Sequence, residues 1–201
     1  MTLTVLAVQG AIARLAPAME AAFDTLNTAD GALGDGDLGV TMARGMRAIA
    51  DLAPGLPPDL GMAFLQCAQG FTKTSGSSYG TLLATGLMAV AKVLRGRTEV
   101  DAAEVSGLIA VARDAMQMRG KAELGGKTVL DSLDAMAGAT AGLTDAAAVA
   151  RAAAQAAETA QAALRDKPAT IGRARIFGEK TIGMDDPGML AMTLITAAIA
   201  G

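Results

Sequence analysis

Asp30, Asp35 and Asp37 are the residues of this chain whose type and spacing point most directly to chemistry. They fall within eight positions of the stretch Asp30-Gly-Ala-Leu-Gly-Asp35-Gly-Asp37-Leu-Gly39, interleaved with four glycines. Asp and Gly are poor helix formers, so the stretch reads as one tight loop. Asp35 and Asp37 are two apart, and in extended backbone such side chains point the same way. Three converging carboxylates repel one another unless a positive group sits between them. A hard divalent cation with oxygen ligands, Mg²⁺ or Ca²⁺, fits that need. The alternative is an Asx-rich turn that caps the next helix.

Two other readings of the stretch fail. Gly34 to Gly39 fits G-x-G-x-x-G, but a dinucleotide fold needs a strand before it and a repeating β/α pattern around it. Here the preceding residues, Ala11 to Leu26, are helical in pattern. An EF-hand needs Glu twelve residues into the loop. Counting from Asp30 or Asp35 lands on Thr41 or Met46.

Three further polar loops accompany the first. Thr74-Ser75-Gly-Ser77-Ser78-Tyr79-Gly-Thr81 offers hydroxyls and amides at a helix start, for a phosphate or for an ordinary cap. Gly120 to Thr128 could admit a flat base or a phosphate to its backbone, or be a solvated connection. Gly172 to Lys180 holds the densest positive charge, and Arg173 could clamp a phosphate bidentately or form a surface salt bridge. Asp185-Asp186-Pro187-Gly188 is a helix-capping motif.

Composition narrows the chemistry. The 201 residues contain no histidine and a single cysteine, Cys67. A histidine base, a phosphohistidine and a Cys/His zinc site are therefore excluded within this chain. Cys67 lies in an apolar run and reads as buried filler. Basic residues number 17 and acidic residues 20, with no basic run longer than pairs such as Arg173/Arg175, which excludes a nucleic-acid surface. No segment reads as a signal peptide or a membrane span, so no membrane partner is expected and the cytoplasm is the expected location.

The elements that must position these loops are helices. The chain is 52% hydrophobic but only 2% aromatic, with twelve Met as gap-fillers, which favours close-packed helices over a sheet. Periodicity gives about eight helices in a single domain spanning 1–201. Leu3 to Leu15 and Pro17 to Leu26 form a pair broken at Pro17. Further helices cover Gly39 to Leu52, Leu60 to Phe71 and Tyr79 to Leu94. Thr98 to Asp101 connects to a helix reaching Met118, and another runs from the glycine loop to about Ala141. An Ala-rich helix capped at Thr144/Asp145 ends near Arg165, and Asp186-Pro187 opens the last. Each polar loop precedes a helix N-terminus, where free N–H groups and the positive dipole end suit phosphate.

Taken in order, the motifs GDGDxGxxMARG, TSGxxYGTLL, RGKAExGxKTxLDSL and GRAxxxGExxIGxxDPG resemble the nucleotide-binding L subunit of dihydroxyacetone kinase, over essentially the whole chain. The resemblance implies an all-α, eight-helix antiparallel up-and-down barrel with ATP or ADP at one end. It implies two Mg²⁺ held by Asp30, Asp35 and Asp37. Leu38, Gly39, Val40 and Thr41 would lie along the phosphates, Thr74 and Ser75 would contact them, and Arg173 would reach one. Gly120 and Val129 would border the nucleotide, and Asp186, Pro187 and Gly188 would close the site.

It also implies a ketose or tetrulose held covalently by a histidine of a separate K subunit, the expected partner. The nucleotide is either consumed ATP or a bound ADP recharged by a phosphotransferase-system donor. A non-enzymatic nucleotide sensor and a Mg²⁺-stabilised scaffold are the rival readings. The chain departs from the family pattern at Leu38 (commonly His), Thr41 (commonly Asn), Gly126 (commonly acidic) and Ser77-Ser78 (commonly Pro-Leu), but keeps the three aspartates.

Overall fold

The computed structural model describes residues 2–74 and 76–201. It is all-α, as the composition requires of a core built from Ala, Leu and Met. Among the described residues the α-helices are α1 (Val5–Ala21), α2 (Phe23–Leu33), α3 (Leu38–Leu52), α4 (Leu60–Thr74), α5 (Ser78–Val93), α6 (Val105–Gly120), α7 (Val129–Thr140), α8 (Ala146–Arg165) and α9 (Pro187–Ala200). From α3 to α9 each helix packs on the next in sequence. Helix α9 also packs on α1, and α1 on α3, so the contacts run in a closed circuit, with α2 lying against α3 and α9.

The boundaries follow local chemistry. Thr128 accepts from the Leu130 N–H while its own N–H donates to Asp131, a capping box that starts α7. Asp145 caps α8 and Asp186 caps α9, each side chain accepting an N–H three residues on. Pro187 follows Asp186 at the first helical position, where its missing N–H costs nothing.

Several boundaries differ from the sequence reading. Helix α1 runs through Pro17 and ends at Ala21, because proline removes one bond of the ladder while the apolar face (Val8, Ile12, Leu15, Met19) stays buried. Thr2–Thr4 is a strand rather than helix, paired antiparallel with Glu99–Asp101, a second strand where the sequence pattern suggests only a connector. Three residues are too few for an alternation to register as a strand pattern. Helix α2 extends to Leu33, so Asp30 sits in its last turn rather than in a loop, and only 34–37 are non-helical. Buried Leu33 holds that turn in place.

The core contains Met19, Leu26, Met42, Leu60, Phe71, Leu94, Met116 and Met189, all nearly solvent-free. Cys67 is buried among them, and burial pushes its thiol up to about 11, consistent with inert filler. With few aromatics to fill the middle, an apolar cavity of about 370 Å³ remains among residues such as Ile12, Phe64, Leu87, Leu133 and Met192.

Helices α2 and α3 approach so closely that a Cβ on Gly39 would clash with the Phe23 carbonyl oxygen. Gly39→Ala is therefore expected to destabilise the protein by about 1–3 kcal/mol, the range of an overpacked contact. A denaturant titration would show it as a lowered midpoint; an unchanged midpoint would mean the two helices can separate at no cost.

Candidate functional site

Helix α2 ends where α3 begins, and that junction assembles the acidic site. In a helix the first N–H groups lack partners. For α3 they are satisfied from α2. One Asp30 oxygen accepts from the N–H groups of Asp37 (2.9 Å) and Leu38 (3.3 Å), and Asn27 Oδ1 accepts from those of Gly39 (2.7 Å) and Val40 (3.3 Å). Asp30 is thus both a cap and a member of the cluster. Gly36, with φ of +77°, turns the backbone between Asp35 and Asp37. The result brings one ligand oxygen from each of Asp30, Asp35 and Asp37 within 4.8 Å of the others.

This donor set suits a hard divalent cation: three carboxylates and no softer ligand. Its electrostatics also call for positive charge. The Asp37 carboxyl is pushed up by burial, and then by the charges of Asp35 and Asp30. Asp35 is held below its ordinary value by hydrogen bonding from the Arg173 guanidinium, with which it is ion-paired. Arg173 thus brings one positive charge to the edge of the cluster from the segment between α8 and α9.

Two adjoining clefts open beside the triad. The smaller, of about 170 Å³, is lined by Asp30, Asp35, Asp37, Leu38, Arg173 and the α9 start, Asp186-Pro187-Gly188. The larger, of about 770 Å³, has an apolar wall from Leu82, Met116, Val129, Leu130 and Ile171, with Gly120 at its edge and Arg119, Lys121 and Arg175 among its lining. Ser77, Ser78, Leu82, Thr128, Val129, Ile171, Gly172 and Arg173 line both. All four loops therefore contribute to one site.

The Tyr79 hydroxyl donates to the Gly188 carbonyl at 3.1 Å and ties the start of α5 to the start of α9. Burial pushes this phenol well up, so it remains a neutral donor. Asp186, also among the lining residues, is pushed up to about 6, chiefly by burial.

Of the residues expected along the phosphates, only Leu38 lines a cleft; Gly39, Val40 and Thr41 lie inside α3, and the N–H groups of Gly39 and Val40 are engaged by Asn27. Thr74 is the last residue of α4 and its hydroxyl donates back to the Gly70 and Phe71 carbonyls, away from both clefts. Ser75 lies outside the described residues. Sequence reasoning passed over Asn27, because a lone Asn three residues before Asp30 carries no motif. Ser77, Ser78, Thr128 and Gly172 also line the clefts, on loops the sequence singles out without marking these residues, and Ile171 lies just before the last of those loops.

The chain resembles known proteins in both sequence and fold. Residues 32–201 match the model of the DAK2 domain. The chain is similar to the ADP-binding subunit DhaL of PEP-dependent dihydroxyacetone kinase 1 from Listeria innocua, at 30% identity over 87% of this chain and 84% of that protein. It is similar to the ADP-binding subunit DhaL of the PTS-dependent dihydroxyacetone kinase of Lactococcus lactis, at 33% identity over 81% and 79%. Its structure resembles the dihydroxyacetone kinase of C. freundii in native form, with a TM-score of 0.74 and 25% identity over 96% of this chain. The complex of that kinase with AMP-PNP and Mg²⁺ shares the fold with a TM-score of 0.73. The chain spans about a third of that kinase, 34% of its length.

Two outcomes are expected from the site's electrostatics. Asp35 is exposed and its ion pair is with Arg173, so Asp35→Asn should leave stability within about 0.5 kcal/mol while weakening Mg²⁺ binding more than about tenfold. Thermal melts and Mg²⁺ titration separate the two effects. The Asp186 carboxyl holds its proton in the folded chain at pH values where the unfolded group, near 3.8, has ionised. Its contribution therefore favours folding at low pH and is lost as pH rises from about 4 through 6. Asn is as good a cap as Asp. The stability of the parent chain relative to Asp186→Asn should accordingly increase as pH falls through 6, and parallel pH profiles of Tm would contradict the shift.

Proposed function

The chain belongs to the DAK2 domain family, and on that premise we propose that it is the nucleotide- and Mg²⁺-binding subunit of a dihydroxyacetone-type kinase, a single nucleotide-binding domain that delivers a phosphoryl group to a ketose or tetrulose held by a separate K subunit. The observation that carries the proposal is the adjacency of the carboxylate triad and Arg173 to a large cleft with an apolar wall.

Asp30, Asp35 and Asp37 would hold the metal, two Mg²⁺ in the family resemblance. When bound, the cations neutralise phosphate oxygens and the charge on the transferring group. The chain's own residues do the rest. The walls of Leu82, Met116, Val129 and Ile171 bury a flat base, and the size of the larger cleft suits a nucleotide. Arg173 supplies guanidinium donors beside the phosphates. Asp186-Pro187-Gly188, tied to Tyr79, lines the smaller cleft and would close the site there. With no histidine among these 201 residues, a histidine that holds the sugar or accepts its proton would be supplied by the K subunit of this reading.

A second form of the same reading has ADP as a retained prosthetic group, recharged by a phosphotransferase-system donor. The relatives matched over most of their length, from Listeria and Lactococcus, are named ADP-binding subunits of PEP- and PTS-dependent kinases, which favours this form over consumption of ATP.

Calorimetric titration of ADP and ATP into nucleotide-stripped protein, with and without Mg²⁺, tests the reading. Mg²⁺-dependent binding is expected, and its absence for both nucleotides would refute it. ADP that survives purification and dialysis would select the prosthetic form, whereas free exchange would select ATP as co-substrate.

A further inference from the structure

Lys127 is only 1% exposed, yet it carries an ammonium group. All three of its donors are used, each on a backbone carbonyl: Arg165 at 2.9 Å, Lys167 at 2.9 Å and Thr181 at 2.7 Å. Arg165 and Lys167 stand at the entry of the segment between α8 and α9, and Thr181 stands near its exit. One side chain therefore pins both ends of the segment that carries Ile171, Gly172, Arg173 and Ala174 into the clefts.

Neighbouring bonds follow the same plan. The Gly183 N–H donates to the Arg165 carbonyl, the Ala169 N–H to the Thr181 hydroxyl, and the Thr170 N–H to the Gly126 carbonyl. A Cβ on Gly126 would lie 2.8 Å from Ile171, so the backbone just before Lys127 is in close contact with the segment it pins. Lys127 itself holds a left-handed φ of +60°, uncommon for a residue with a Cβ. Thr128 and Val129, which follow it, line both clefts.

A buried cation with no bonded carboxylate is expensive, and desolvation lowers its pKa. Three converging carbonyls, one at the C-terminal end of α8 where the helix dipole is negative, satisfy it in place of an anion. Such an arrangement joins three backbone positions through one side chain.

We infer that Lys127 is the positioning residue of this site: it sets the distance between the α7 wall and the Arg173 segment, and it acts on nucleotide binding through Arg173. The inference rests on the nucleotide reading above. Arg173 reaches the triad from an exposed stretch, so its placement depends on where that stretch is anchored.

The test is a double-mutant cycle on the full chain. Lys127→Met keeps the stem and removes the donors; Lys127→Arg keeps charge and donors on a planar fork that cannot point at three carbonyls from one atom. Each is combined with Arg173→Gln, and MgADP affinity is measured by calorimetry. Each Lys127 variant is expected to lose about tenfold in affinity, and the double variants to bind no more weakly than about the weaker single. Additive losses, or parental affinity in both Lys127 variants, would overturn the inference. Should Lys127→Met fail to fold, Lys127→Arg alone decides the cycle.

Hydrogen exchange supplies a readout free of nucleotide. The amides of Ala169, Thr170 and Gly183 should lose protection in the Lys127 variants while those of α4 and α7 keep theirs. Retained protection at those amides overturns the clamp. Loss of protection in a protein whose parent binds no nucleotide would leave the clamp standing and refute the functional reading instead.

Discussion

Three carboxylates held within 4.8 Å of one another set the terms for the rest of the molecule. Like charges that close repel strongly where water is partly excluded, and the Asp37 carboxyl is raised first by burial and then by the charges of Asp35 and Asp30. The fold answers from three directions. The N-terminal amides of α3, which carry the positive end of its dipole, bond to Asp30. Arg173 pairs with Asp35. The third answer is geometric, since Gly39 lets α2 and α3 approach closely enough for Asp30 and Asn27 to reach across.

The circuit of helices serves this junction. Each polar loop contributes residues to the same pair of clefts, so groups far apart in sequence, such as Asp30, Ser78, Thr128 and Arg173, come to line one site. The apolar interior does the structural work with small and flexible side chains, at the expense of an unfilled cavity. The charged groups of the site gather at helix ends and connections, and the buried ammonium of Lys127 is fully satisfied by carbonyls. Membership of the DAK2 domain family accords with this division between an aliphatic scaffold and a charged site.

Stability and site geometry are coupled here through shared residues. Asp30 is a helix cap as well as a cluster member, and Asp186 caps α9 while lining the smaller cleft. Such double use means that a substitution in the site disturbs a helix start, and that the helix starts are where the site is made rigid.

The sequence by itself determined the all-α class, the absence of histidine chemistry, the helix caps at Asp145 and Asp186, and the convergence of Asp30, Asp35 and Asp37. These depend on residue type, local hydrogen bonding and short spacing, which act over a few residues. Only the tertiary structure decided that α2 continues through Asp30, that α1 continues through Pro17, and that Thr2–Thr4 pairs with Glu99–Asp101. Packing against a distant partner outweighs local propensity in each case. The same holds for the site: Asn27 on the α3 amides, the Arg173–Asp35 pair and the Lys127 clamp each join groups whose separation in sequence leaves no local signal. What brings them together is the closed path of the helices, which no short window of residues contains.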